Sequence, residues 1–167
     1  MTSPQTREEP VTVRVFTQRF SSTPRGARLA RRLVLHQLDR WGIPHGSAAS
    51  DATAQIVAEL AANAVTHGRV PGRDFEVVVS YTSATPDPYL RIDVSDTRTE
   101  RHPRLTDAGR GLRIVDALAT RWEILARVPV GKTVRAEVEL SPRRREGAGG
   151  SGGVPSGDQL SGIIRRT

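Results

Sequence analysis

From Ile56 to Val65 the chain is apolar except at two positions, Glu59 and Asn63. Being four residues apart, they stand one above the other on a helix, and His67 continues the line. Val57, Leu60, Ala61 and Ala64 form the adjoining arc, a core-facing stripe. A carboxylate and an amide at the edge of such a stripe need partners once water is removed. A neighbouring strand or a buried water would serve. So would a hydrated hard cation such as Mg²⁺, which takes oxygen ligands of these types.

Three further places carry residues suited to chemistry. Gly109-Arg110-Gly111 stands where a helix begins. Glycine lets a bulky anion reach the main chain, and the unpaired amides of a first helical turn bind phosphate oxygens. Two glycines are also what a tight loop without a ligand requires. Asp96 falls just past a strand, where a carboxylate can accept from an exocyclic amine or cap a turn.

Gly131-Lys132-Thr133 looks like the end of a phosphate loop. That motif needs a glycine five residues before Gly131, where Ala126 stands, and a helix after Thr133, where a strand follows. The motif is rejected, and Thr133 reads as a small hydroxyl on a strand at the floor of a pocket. Arg98, Arg101, Arg104 and Arg110 surround a polar loop, either solvated or ready for bidentate contacts to a polyphosphate. His36, His45, His67 and His102 lack metal-ligand spacing, so no zinc is assigned. Nothing resembles a Ser-His-Asp triad or a glycosidase carboxylate pair.

The elements that must position these residues follow from periodicity. Val11 to Phe16 alternates and is rich in β-branched residues, which predicts a strand. Thr23-Pro24 starts a helix that Gly42 and Pro44 stop. The helix bearing Glu59 and Asn63 is entered through Ser50-Asp51 and closed by Gly68. Phe75 to Tyr81 and Leu90 to Ser95 alternate as two strands about a Thr85-Pro86-Asp87-Pro88 turn. Thr97 to Asp107 has no period and reads as a polar loop long enough to be a lid. A helix from Gly109 and two strands, Trp122 to Val128 and Thr133 to Leu140, complete the order β-α-α-β-β-α-β-β. Hairpin-length connections oppose a doubly wound parallel sheet. A two-layer α/β sandwich, with a mixed but mostly antiparallel sheet and helices on one face, is the economical packing.

With 167 residues, one domain with a self-sufficient core is expected, spanning 11–140 between a loose terminus (1–10) and a tail (141–167). The tail holds seven of the 15 glycines and few apolar residues, the composition of a disordered segment. The absence of cysteine removes disulfides and thiolate chemistry and suits a cytoplasmic protein. No apolar run approaches bilayer length, and the first ten residues do not read as a secretion signal. The net charge of +7 invites nucleic acid, but +3 of it sits in the tail and aromatics are only 4%, too few for a stacking platform. A basic chain equally favours an anionic small ligand or an acidic partner.

Taken in order, these signals resemble the histidine-kinase/Hsp90-like ATPase superfamily, whose sandwich is the Bergerat-type ATP-binding fold. Glu59-Leu60-Ala61-Ala62-Asn63-Ala64-Val65-Thr66-His67-Gly68 is similar to its N box, and Gly109 to Asp116 to its second glycine box. Within it, the small anti-sigma factor serine/threonine kinases are the nearest branch. The resemblance covers Val11 to Leu140. It implies ATP and Mg²⁺, with Asn63 as the metal ligand and Glu59 as general base or water-positioning carboxylate. His67, on the N-box line, would stand with the nucleotide-binding residues. Asp96 would take the adenine amine with Thr133 beneath the base. The phosphates would lie on Gly109, Arg110, Gly111 and Leu112 at the helix start.

The resemblance further implies phosphorylation of an anti-sigma factor antagonist and binding of a sigma factor, in a family whose members often form homodimers. The alternative is a non-catalytic partner-switching module with weak nucleotide binding or none. One departure stands out. Where the superfamily has Asp-x-Gly-x-Gly, this chain has Asp96-Thr97-Arg98-Thr99-Glu100, with neither glycine.

Overall fold

The computed structural model describes residues 11–67, 74–83, 85–96, 109–128 and 130–140. The expected lid, both termini and the Arg98, Arg101 and Arg104 cluster lie outside these residues. The elements are β1 (Thr12–Ser21), α1 (Pro24–Arg40), α2 (Ala48–His67), β2 (Asp74–Ser83), β3 (Tyr89–Asp96), α3 (Gly109–Leu118), β4 (Arg121–Ala126) and β5 (Lys132–Glu139). This is the order that periodicity predicts. The five strands form one sheet in the order β1-β2-β3-β5-β4.

Every described strand pairing is antiparallel, so the parallel neighbours that a mixed sheet would contain do not occur here. β5 slots between β3 and β4. The last residue of β3, Asp96, therefore lies opposite the first residue of β5, Lys132.

Alternation divides the sheet into two unlike faces. Val77, Val79, Leu90, Ile92, Val94, Trp122, Ile124, Val134, Ala136 and Val138 all point to the helical layer and are buried. They meet Val34 and Leu38 of α1, Ile56, Val57, Leu60 and Ala61 of α2, and Leu112 and Val115 of α3 in one core. Each fully buried Leu, Ile, Val or Phe there contributes about 1.5–3 kcal/mol.

The opposite face carries ion pairs. Glu137, itself buried, accepts from Arg91 Nε at 2.9 Å and from Arg121 Nε, while Arg135 grips Asp93 through two bonds of 2.9 and 2.8 Å. Hydrogen bonding to Glu137 raises the Arg121 guanidinium above its ordinary value, and hydrogen bonding to Asp93 does the same for Arg135. Both cations persist at any working pH.

The helix ends show why α2 sits where it does. Thr23 Oγ1 accepts from the Gly26 amide at 3.0 Å, capping α1 as the sequence predicts. At the other end Ile43 N–H bonds to Leu38 O and Gly42 N–H to Asp39 O, with Gly42 at φ 84°. That pattern reverses the chain through a left-handed residue and buries Ile43 as its apolar latch. α2 then begins earlier than Ser50-Asp51 suggests. Ser47 caps it, its Oγ accepting from the Ser50 amide at 3.3 Å, and Ser50 is instead fully buried. Among the described residues no helix is long and apolar enough to cross a membrane.

Candidate functional site

Glu59 and Asn63 sit on one edge of α2, half-buried, beside the core stripe of Val57, Leu60, Ala61 and Ala64. The element that meets this edge is the first turn of α3. A Cβ placed on Gly111 would lie 3.0 Å from Glu59 Oε2, 3.3 Å from Asn63 Nδ2 and 3.4 Å from Asn63 Oδ1. Glycine is therefore what lets the two helices close on these polar groups. Gln55 Nε2, one turn earlier on α2, donates to Glu59 Oε1 at 2.9 Å and holds the carboxylate in that direction.

α3 is fixed from its other end. Leu112 and Val115 are buried in the core, and Trp122 Nε1 of β4 donates to Asp116 Oδ1 at 2.9 Å. The result is a carboxylate and an amide held together against the amide-rich start of a helix. Two oxygen donors of this kind suit Mg²⁺, and the main-chain amides of a helix start suit phosphate. The residues present fit both groups.

The second group lies at the paired ends of β3 and β5. Asp96 closes β3 inside the strand rather than beyond it, and only 5% of its surface is exposed. It shares the helix-facing side with Leu90, Ile92 and Val94. Lys132 opposes it in register, and Lys132 Nζ stands 3.5 Å from Asp96 Oδ2.

Thr133, expected beneath a base alongside Asp96, points to the other side of the sheet. It opposes Ser95, with 2.7 Å between their hydroxyl oxygens, and both are buried there. The reason is strand parity: Thr133 belongs with Arg135, Glu137 and Glu139, while Lys132 belongs with Val134, Ala136 and Val138. Lys132 is thus the residue that the sequence reading passed over. The alternation of the last strand already carried the signal.

Of the other expected residues, Gly109, Arg110, Gly111 and Leu112 form the first turn of α3, and Leu112 serves the core. His67 is the last residue of α2. The side chains of His67 and Arg110 lie outside the described residues. The structure therefore gathers Glu59, Asn63 and Gly111 directly. Asp96 and Lys132 close the strands on which α2 packs.

The sequence pattern of the histidine kinase-like ATPase domain matches residues 20–138. None of the curated proteins matches the sequence. Among solved structures, the fold is similar to that of the RsbU and RsbW domains of Rv1364c from Mycobacterium tuberculosis. The TM-score is 0.54 and the identity 22%, over 75% of this chain and 32% of that one, so this chain spans a minor part of that protein. At this identity the likeness speaks for the fold. The domain match covers most of the chain and includes both ends of the site, and the chain belongs to the histidine kinase-like ATPase domain family.

Proposed function

We propose that this chain binds ATP with Mg²⁺ and acts as a serine/threonine protein kinase of the anti-sigma type. Its protein substrate would be an anti-sigma factor antagonist, and its other partner a sigma factor. The observation that carries the reading is the packing of Glu59 and Asn63 against the side-chain-free Gly111 at the start of α3. The similarity to a structure containing an RsbW domain supports the choice of branch.

Bound ATP supplies the transferable γ-phosphoryl group, and Mg²⁺ neutralises the phosphate oxygens around it. The residues do the positioning. Asn63 would be the residue that holds the metal. The amides of Gly109 to Gly111 receive phosphate oxygens, a task for which glycine leaves the main chain open. Glu59, steadied by Gln55, accepts the hydroxyl proton of the Ser or Thr that takes up the phosphoryl group as ADP leaves. Charge and orientation do most of this work, as phosphoryl transfer requires.

The Lys132–Asp96 ion pair favours the second reading, a partner-switching module that binds nucleotide weakly and works through protein contacts. Calorimetry decides whether there is a metal-assisted nucleotide site at all. Wild type is expected to bind ATP more tightly with Mg²⁺ than with EDTA, and Asn63→Ala to erase that difference. Equal binding by both proteins under both conditions would remove the metal from Asn63.

A further inference from the structure

We propose that Lys132 determines specificity by closing the base end of the site. Its ammonium engages the carboxylate of Asp96 that an adenine amine would use. The chain would then hold nucleotides by their phosphates and gain little from the base. This inference rests on the nucleotide reading above and asks which part of the ligand is recognised.

The argument begins with register. Antiparallel pairing puts Asp96 and Lys132 directly opposite one another on the same face of the sheet. Cross-strand partners stand close enough for opposite charges to meet, and here Nζ and Oδ2 are 3.5 Å apart. The pair is largely shielded, with 19% of the lysine side chain and 7% of the aspartate side chain exposed. Water therefore competes poorly for either charge.

An adenine amine is a neutral donor. Its bond to the carboxylate would gain from the negative charge there, but the ammonium brings a full opposite charge as well, so the amine would have to share the carboxylate or displace the stronger partner. Displacement would leave an ammonium without its counter-ion at a site where little solvent reaches, which is costly. The lysine stem adds a steric component. It starts from the side of β5 that carries Val134, Ala136 and Val138, opposite Asp96, with only 19% of the side chain exposed. A small hydroxyl or an apolar side chain at position 132 would bring no competing positive charge to the carboxylate. Lysine brings one.

The consequence for ligand choice is concrete. Affinity should follow the Mg²⁺-triphosphate group, with weak discrimination among bases. The test compares wild type with Lys132→Met by calorimetry against Mg²⁺-ATP, Mg²⁺-GTP and Mg²⁺-tripolyphosphate. Methionine keeps most of the apolar stem and removes the charge. Lys132→Thr serves as a second variant, because its hydroxyl can still donate to Asp96 if loss of the ammonium upsets folding. Melting curves without ligand report whether each variant is folded.

The expected wild-type result is ATP, GTP and tripolyphosphate affinities within about threefold of one another, a spread of well under one ordinary hydrogen bond. In the variants ATP affinity should rise about tenfold, the worth of one hydrogen bond to a carboxylate, with tripolyphosphate affinity unchanged. An unchanged ratio of ATP to tripolyphosphate affinity would overturn the role of Lys132 while leaving the nucleotide site standing. A selective loss of ATP affinity would overturn it too, by showing that the lysine contacts the base. If neither protein binds any of the three ligands, the nucleotide reading falls and this inference falls with it.

Discussion

At the junction of α2 and α3, Glu59 and Asn63 face Gly111, the one kind of residue with no side chain to answer them. At the paired ends of β3 and β5, Asp96 faces a lysine whose ammonium stands 3.5 Å from its carboxylate. Both places hold a carboxylate at the edge of the same core. They differ in what evolution set opposite. A glycine keeps polar groups at hand for a ligand, because it packs closely and adds no competing charge. A lysine satisfies the carboxylate within the protein, which steadies the strand ends and lowers their value as a recognition surface. Under the nucleotide reading, retention of a phosphate end and closure of a base end would be separable, and each can be tested by itself.

The largest effect belongs to Glu59. Under the kinase reading, Glu59→Ala removes the proton acceptor, and the rate of phosphoryl transfer to an antagonist protein should fall by about 10²–10⁴. Asn63 and the α3 amides are untouched, so Mg²⁺-ATP affinity should stay within about threefold of wild type, less than one hydrogen bond is worth. Single-turnover assays with radiolabelled ATP, beside calorimetry, separate the two quantities. A variant that keeps its transfer rate would hand the chemistry to another group. Transfer absent from wild type and variant alike would leave the partner-switching module as the better account.

Gly111→Ala probes the junction more gently. The added methyl would come within 3.0 Å of Glu59 Oε2 and 3.3 Å of Asn63 Nδ2. Both are side-chain atoms and can give way by a few tenths of an ångström, so the fold should survive. Alanine is the better helix former by roughly 0.5–1 kcal/mol, which offsets part of the crowding. The melting temperature should therefore hardly move. The transfer rate should drop roughly tenfold, because a displaced carboxylate and amide lose their alignment. Loss of stability together with function would mean that the glycine serves only the packing of the two helices.

The two ends were not equally legible in the sequence. The helix edge announces itself through spacing alone: two polar residues four apart in an apolar run can be placed before any tertiary contact is known. The partner of that edge, Gly111, lies 48 residues beyond Asn63 in the chain. Local periodicity cannot pair them; the likeness of the whole pattern to a family does. At the base end the information was present in the alternation of β5, which sorts Lys132 with the apolar positions and Thr133 with the charged ones. The placement of Thr133 beneath a base rested on the family likeness and on the hydroxyl, whereas the period of two sets it on the face shared with Arg135 and Glu137. The start of α2 was missed for a more local reason. Ser47 and Ser50 are both plausible caps by type, and Ser47, directly after the left-handed Gly46, is the one whose hydroxyl accepts from a first-turn amide. The salt-bridged face was legible as polar but not as buried. Glu137 is covered because Arg91 and Arg121 reach it from the strands on either side, and that depends on strand order.

The smallest effect expected bears directly on that parity. Thr133 and Ser95 share a 2.7 Å hydrogen bond on the side of the sheet away from the helices. Thr133→Val is close to isosteric but removes one partner and leaves the buried Ser95 hydroxyl without it. The cost should be about 1–2 kcal/mol in urea unfolding, as for other buried hydroxyls left unsatisfied. Nucleotide affinity should not change, because the lost hydroxyl faces away from Asp96 and Lys132. Replacing Ser95 as well, by alanine, should recover part of the lost stability, since the unsatisfied group then disappears. If Thr133→Val instead weakens ATP binding with little effect on unfolding, the hydroxyl acts on the ligand, and the face assigned to it here is wrong. The strand register sets Thr133 opposite Ser95 and Lys132 opposite Asp96, and this pair of substitutions asks whether the ligand follows the same division.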